Sequence, residues 1–243
     1  ACAGAACVVS AWSGLREVIV ERQSVLIDAA VMAGVPRFIS SDFSSDYTRT
    51  EHGHNRNFDL RREFMGRADR APIRTTSILN GAFMDMLGAE MPIIQPRIRG
   101  VLYWGDADQP LDFTTRADTA AYAAAAALDE TAPRRLRIAG DTVSARDIAT
   151  VMSELAGHRY RPLRVGGIAG LAALGRAAKQ VAPQPAAVFP PWQGMAYMRD
   201  MFSGQARLQP LDNDRYPDLC WTSLRAWFAG GHLPGRSSTR SHA

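Results

Sequence analysis

Three polar clusters carry the residue types suited to chemistry, and each closes an apolar run. Ser40-Ser41-Asp42-Phe43 follows Val35-Pro36-Arg37-Phe38-Ile39, Ser10-Ala11-Trp12 follows Cys7-Val8-Val9, and Asn80-Gly81-Ala82-Phe83 follows Ile73 to Leu79. An open parallel sheet binds ligands just beyond the carboxyl ends of its strands, so a strand that empties into small polar residues fits that place. The alternative is local, because Ser, Asp and Asn also make turns and caps. Glu51-His52-Gly53-His54 sets two imidazoles among carboxylates, a pattern that serves a substrate-facing His or a solvated loop. No third ligand stands at metal spacing, so no metal site is expected. Arg61 and Arg62 offer planar forks for a phosphate or a carboxylate, or else a solvated helix face.

Two familiar constellations are absent from the sequence. No G-x-G-x-x-G follows a strand-like run, and Gly166-Gly167-Ile168-Ala169-Gly170 reads as helix packing or a turn. Tyr47 is followed at the fourth position by Glu51 and Tyr160 by Arg164, so no Tyr-x-x-x-Lys pair exists. Lys179 is the only lysine of the chain, and a helical Lys acid is not expected. Arg does not replace it, because a guanidinium stays charged at working pH. Trp12, Phe43 and Phe83 stand just past strand ends, where they wall a pocket or pack in a core.

The elements that must position these groups alternate. Cys7 to Ala11 reads as a buried strand. Leu15, Val18, Ile19, Leu26, Ala29, Ala30 and Ala33 recur at helical spacing, and Gly34 and Pro36 end that helix. Arg37 to Ser40 is the next strand, Phe58 to Ala68 a second helix, and Ile73 to Leu79 a third strand. If these strands run parallel, Ser10, Ser41-Asp42 and Asn80-Gly81 share one edge. Further on come strands at Arg97 to Trp104, Leu111 to Thr114, Arg134 to Ile138 and Arg161 to Val165, with a turn at Gly140-Asp141. Helices are expected from Thr115 or Asp118 to Leu128, from Ser144 to Ala156, from Ile168 to Lys179, and over Gln193 to Phe202 and Thr222 to Phe228. Asp118 reads as a helix-terminus carboxylate, and Ala182 to Pro191 as a linker. The fold class is α/β, a Rossmann-like parallel sheet with a smaller α+β C-terminal lobe.

Composition narrows the classes. The 243 residues are 47% hydrophobic and 21% charged, which suits one soluble domain with a full core. The net charge of +4 is carried by scattered Arg, without the concentrated basic face that nucleic acid wants. No run of about 18 apolar residues suits a membrane span. Cys2, Cys7 and Cys220 lack metal or redox spacing, so a reduced cytoplasmic setting is the expectation.

Val8-Val9-Ser10-Ala11, Gln23 to Ala30 and Ala33-Gly34-Val35-Pro36-Arg37-Phe38-Ile39-Ser40-Ser41-Asp42-Phe43 resemble blocks of the NmrA-like family. That family comprises atypical short-chain dehydrogenase relatives, isoflavone reductase-like enzymes among them. Asn80-Gly81-Ala82-Phe83, Asp112 to Ala120 and Ile138 to Ser144 are similar to its later blocks. The resemblance covers residues 6–160. It implies a domain binding NADP or NAD over residues 1–160, a substrate lobe over 161–233 and a disordered tail over 234–243. It also implies that Ser10, Ala11 and Trp12 lie toward the cofactor's ribose and pyrophosphate. Ser40, Ser41, Asp42 and Phe43 would lie near the nicotinamide, and Asn80, Gly81 and Phe83 would border nicotinamide and substrate. The family's glycine-rich first turn would stand upstream of residue 1. Its reductases carry a Lys near the position of Arg61 or Arg62. The implied function is an oxidoreductase moving hydride between a nicotinamide and a small molecule, with water, the substrate or a loop residue such as His54 as proton source. The alternatives are a non-catalytic redox sensor with a protein partner, or an N-terminally truncated fragment with impaired cofactor binding.

Overall fold

The computed structural model describes residues 2–88 and 90–234. β1 (Val8–Val9) leads through a π-helical stretch, Glu17–Arg22, into α1 (Gln23–Met32), and β2 (Arg37–Ser40) follows. Gly34 turns the chain at φ +69°, a conformation suited to glycine. α2 (Arg56–Ala68) and β3 (Arg74–Leu79) repeat the step. After β4 (Ala82–Phe83), β5 (Ile94–Gln95), β6 (Gly100–Trp104) and β7 (Leu111–Thr114) comes α3 (Arg116–Leu128). β8 (Arg135–Arg137), β9 (Asp141–Val143), α4 (Ala145–Ala156), β10 (Arg161–Gly166), α5 (Ile168–Val181), α6 (Pro191–Phe202) and α7 (Leu224–Trp227) complete the order.

The first sheet runs β1-β2-β3-β8, with every pair parallel. Val8 pairs with Phe38 and Ser40 with Ser77, so the strand tips are level along one edge. Successive strand residues point to opposite faces. Phe38 packs with Ile27, Ala30 and Phe64 of the α1–α2 layer, while Ile39 packs with Ile78, Tyr122 and Ala126 of α3. Both are fully buried, and each such side chain contributes about 2 kcal/mol of transfer free energy. The expected α/β class with a parallel sheet is what the chain forms.

Helix starts follow their caps. Asn55 Oδ1 accepts from Phe58 N at 3.2 Å, and Thr115 Oγ1 accepts from Asp118 N at 2.9 Å. Ser144 and Asp147 form a reciprocal capping box, and Gly157 ends α4 at φ +70°.

The remaining strands form two small sheets, β10-β6-β5 and β4-β7-β9. Two local expectations change. Asp141–Val143, read as part of a turn, is a strand antiparallel to β7. The strand expected from Arg97 begins at Gly100, because Pro96–Ile98 is a 3-10 turn ending at Arg99 with φ 52°. Residues 41–50 are mostly packed, with Asp46 and Tyr47 fully buried and a 3-10 turn at Tyr47–Arg49, while Glu51, His52, Gly53 and His54 are exposed. Arg62 ties the turn down by donating to Tyr47 O at 2.5 Å and Thr50 O at 2.7 Å.

β6 pairs with β10 in parallel, Val101 beside Pro162, so strands on either side of residue 160 share one sheet. α4 and α6 pack on β6, and α5 lies along α6. Of the expected tail, only Pro234 falls among the described residues. No helix among the described residues is long and apolar enough to cross a membrane.

Candidate functional site

Level parallel strands bring the three polar clusters together. Ser10 N donates to Ile39 O at 2.9 Å, which fixes the tip of β1 against β2. Ser41 N donates to Gln23 Oε1 at 2.7 Å, and Ser41 Oγ donates to Trp12 O at 2.5 Å. Asp42 Oδ2 accepts from Ser40 Oγ and, at 2.5 Å, from Ser77 Oγ on β3. Asn80 N donates to Ser44 O at 2.9 Å, Asn80 O accepts from Thr114 Oγ1 at 2.7 Å, and its Nδ2 donates to Thr119 Oγ1 at 3.3 Å. Ser10, Asp42 and Asn80 therefore lie on one rim of the sheet, all buried.

Gly81 has φ +70°, and a Cβ there would sit 2.2 Å from Asp112 O. The chain needs glycine at this tip so that β3 can pass close to β7. The three aromatic candidates take different surroundings. Phe43 packs beside the Ile39–Tyr122 core, Phe83 lies under the Arg116 guanidinium at 5.7 Å, and Trp12 is 40% exposed. Ala11 is exposed beside it.

Three oxygens in the tip cluster have no partner among the protein atoms: Ser10 Oγ, Asp42 Oδ1 and Asn80 Oδ1. A buried polar atom without a hydrogen bond costs about 1–3 kcal/mol, so such groups mark places where a ligand atom belongs. Two of the three are acceptors only, and a carboxamide with two N–H groups, as on a nicotinamide, matches that set.

α2 and the roof of α5 and α6 enclose a cleft of about 710 Å³, whose lining includes none of the tip residues. Arg16, the 52–54 loop and Leu60 line its floor, while Leu171, Arg176, Lys179, Trp192 and Met195 line the roof. His52, His54 and Arg62 are the candidates from the sequence on this wall. His54 Nδ1 lies 2.9 Å from Glu51 Oε2, and its side chain is about half exposed. Arg61 turns the other way, donating to Asn57 O at 3.2 Å, so Arg62 and not Arg61 reaches the cleft.

Arg62 Nη1 pairs with Asp59 Oδ1 at 2.6 Å. Asp118 acts at its helix terminus as read: its carboxylate accepts from Thr222 N at 2.9 Å and Thr222 Oγ1 at 3.1 Å. The Gly-rich run after β10 provides the start of α5 at Gly167. No cluster of His, Cys, Asp and Glu among the described residues could hold a metal.

Sequence reasoning missed the roof. Lys179 enters the sequence reading only as the lone lysine that forms no Tyr-x-x-x-Lys pair, yet it lines the cleft with its Nζ 4.9 Å from the Trp192 ring centre. Arg56 approaches the same ring at 4.8 Å. The available signal was Arg176 and Lys179 one turn apart on an otherwise apolar helix.

A family model of NmrA-like proteins matches residues 1–181. The chain belongs to the NmrA-like family. No curated protein is a sequence match to it. Among solved structures, this NmrA-like chain is similar to leucoanthocyanidin reductase from Vitis vinifera in its complex with NADPH. The TM-score is 0.75 at 16% identity, over 92% of this chain and 74% of that one. It is similar to an isoflavone reductase, with TM-score 0.71, 17% identity and coverage of 92% and 74%. An NADPH-dependent quinone oxidoreductase from Escherichia coli gives TM-score 0.64 and 18% identity, over 94% of this chain and 76% of that one. At these identities the likeness speaks for the fold.

Proposed function

We propose that this NmrA-like chain binds NADP or NAD and acts as an oxidoreductase on a small molecule held in the cleft. The observation that carries the reading is the convergence of Ser10, Asp42 and Asn80 on one sheet edge with three unpartnered buried oxygens, in a chain that also holds a cleft of ligand size. Family membership and the NADPH-bound or NADPH-dependent relatives support it.

When bound, the cofactor supplies hydride chemistry at its nicotinamide ring. The chain does the rest. Asp42 and Asn80 would accept from the carboxamide, and Ser40, Ser41 and Gly81 fix the tips that carry them. Ser10, Ala11 and Trp12 would flank the ribose side, and Phe43 and Phe83 would hold the tips from behind. Residues 1–160 would supply the cofactor side, and residues 161–233, with β5 and β6, the roof that keeps water from the substrate. His54 faces the cleft and would exchange the proton that balances hydride transfer.

Calorimetric titration with NADPH and NADH tests the reading. Binding of either supports it, and absence of binding at millimolar concentration overturns it.

The orientation of Arg61 favours a second reading, a sensor that binds the dinucleotide without turnover. Its guanidinium is folded back onto α2, where it donates to Asn57 O. Cofactor binding without turnover on carbonyl and enone panels is the outcome that reading requires.

A further inference from the structure

We infer that the cleft takes a small organic carboxylate, its apolar body against Leu171 and Met195 and its carboxylate between Arg176 and Lys179. This deepens the proposed function by naming the substrate class of the same cleft, and it rests on that reading for chemistry though not for binding.

The wall carries six cationic side chains, Arg16, Arg56, Arg62, Arg176, Lys179 and Arg199, against two carboxylates, Asp59 and Glu63. Three of the cations are already matched: Arg16 by Glu63, Arg62 by Asp59, and Arg199 by the buried Asp200. Arg56 donates to Ala187 O at 2.8 Å and Val188 O at 3.0 Å. Arg176 and Lys179 alone make no ion pair and no hydrogen bond among the described residues, although Lys179 lies over the Trp192 ring at 4.9 Å. They stand one turn apart on α5, so both reach the same side of the cleft. Trp192 is buried with Arg56 and Lys179 over its ring, so the apolar surface left to a ligand is that of Leu60, Leu171 and Met195. Two cations without a carboxylate partner beside that surface select a molecule with an apolar body and one anionic end.

Calorimetry of the full chain with 2-naphthoate and its neutral isostere 2-naphthamide, each with and without NADPH, tests this. The acid is expected to bind about tenfold more tightly than the amide, the modest advantage that exposed charges provide. In an Arg176→Gln/Lys179→Gln double variant that advantage disappears while NADPH affinity stays unchanged. Both side chains are exposed, so the variant keeps the fold. Equal affinity for acid and amide overturns the inference, as does an acid preference that survives the double substitution or failure of both probes to bind at millimolar concentration. Acid preference without NADPH binding leaves the inference standing and rejects the cofactor reading.

Discussion

Asn55 Nδ2 donates to Asp200 Oδ2 at 3.0 Å, joining side chains 145 positions apart. The Oδ1 of the same Asn55 accepts from Phe58 N at 3.2 Å and from Gln193 Nε2 at 2.6 Å. One buried amide therefore starts α2 and anchors α6, which fixes the two walls of the cleft relative to each other.

Asn55→Ala removes the cap of α2 and leaves Asp200 with one donor fewer in a fully buried position. The expected cost is about 3 kcal/mol, the cap and the lost charged hydrogen bond together. A urea unfolding curve with unchanged slope and a lower midpoint is the outcome; a midpoint within error of the parent would refute this role.

Burial pushes the Asp200 and Asp112 carboxyls above their ordinary value of 3.8, against hydrogen bonds from Asn55 and Arg199 to the first and from Leu208 N and Thr142 to the second. A raised folded value means that the native state holds protons the unfolded chain has released. Each group therefore lowers stability as pH climbs from below 3.8 through its raised value, with no further change above it. Relative to the parent, Asp112→Asn should gain stability progressively over that climb. Unfolding midpoints across the acid range decide it, and a parent–variant difference independent of pH would count against the assignment.

Gly81→Ala and Gly34→Ala form a contrast. Both positions have positive φ, +70° and +69°, but only the Cβ at Gly81 meets backbone, Asp112 O at 2.2 Å, while Gly34 has open space. Gly34→Ala should cost about 1 kcal/mol and Gly81→Ala about 3 kcal/mol or more. Similar thermal midpoints for the two variants would show that β3 and β7 are not in close approach.

Arg62 holds the 47–50 turn through Tyr47 O, Thr50 O and Thr50 Oγ1 while pairing with Asp59. Lysine cannot reproduce that fork. Arg62→Lys and Arg62→Met should both lose about 2 kcal/mol and speed amide exchange in residues 44–54. Protection unchanged in that loop would contradict this.

Once a substrate is in hand, His54→Gln should lower kcat by about a hundredfold and leave the NADPH dissociation constant alone. A kcat within about threefold of the parent would move the proton to another group or to water.

The parallel sheet was legible because its signals are local. Its strand Arg37–Ser40 and, in a separate small sheet, Leu111–Thr114 are short β-branched or aromatic runs between breakers, and both occur as read. Their convergence at Ser10, Asp42 and Asn80 follows from strand direction alone. Burial of residues 41–50 was hidden, since it depends on Arg137 meeting Asp46 at 2.8 Å and on Arg62 folding back. The cleft roof was hidden for the same reason: α5 and Trp192 reach it only after the chain has crossed to β10. Gly81 read as a turn residue, whereas its neighbour Asp112 decides it.

The pairing of Val101 with Pro162 also sets an order of assembly. β6 emerges long before its partner, and closing so wide a loop is entropically slow, so the roofed half is expected to form after the first βαβ core. Until then the apolar faces of β6 and α4 stand bare. A nascent or stressed chain would be vulnerable there to proteases and chaperones, while the strand tips are already in place.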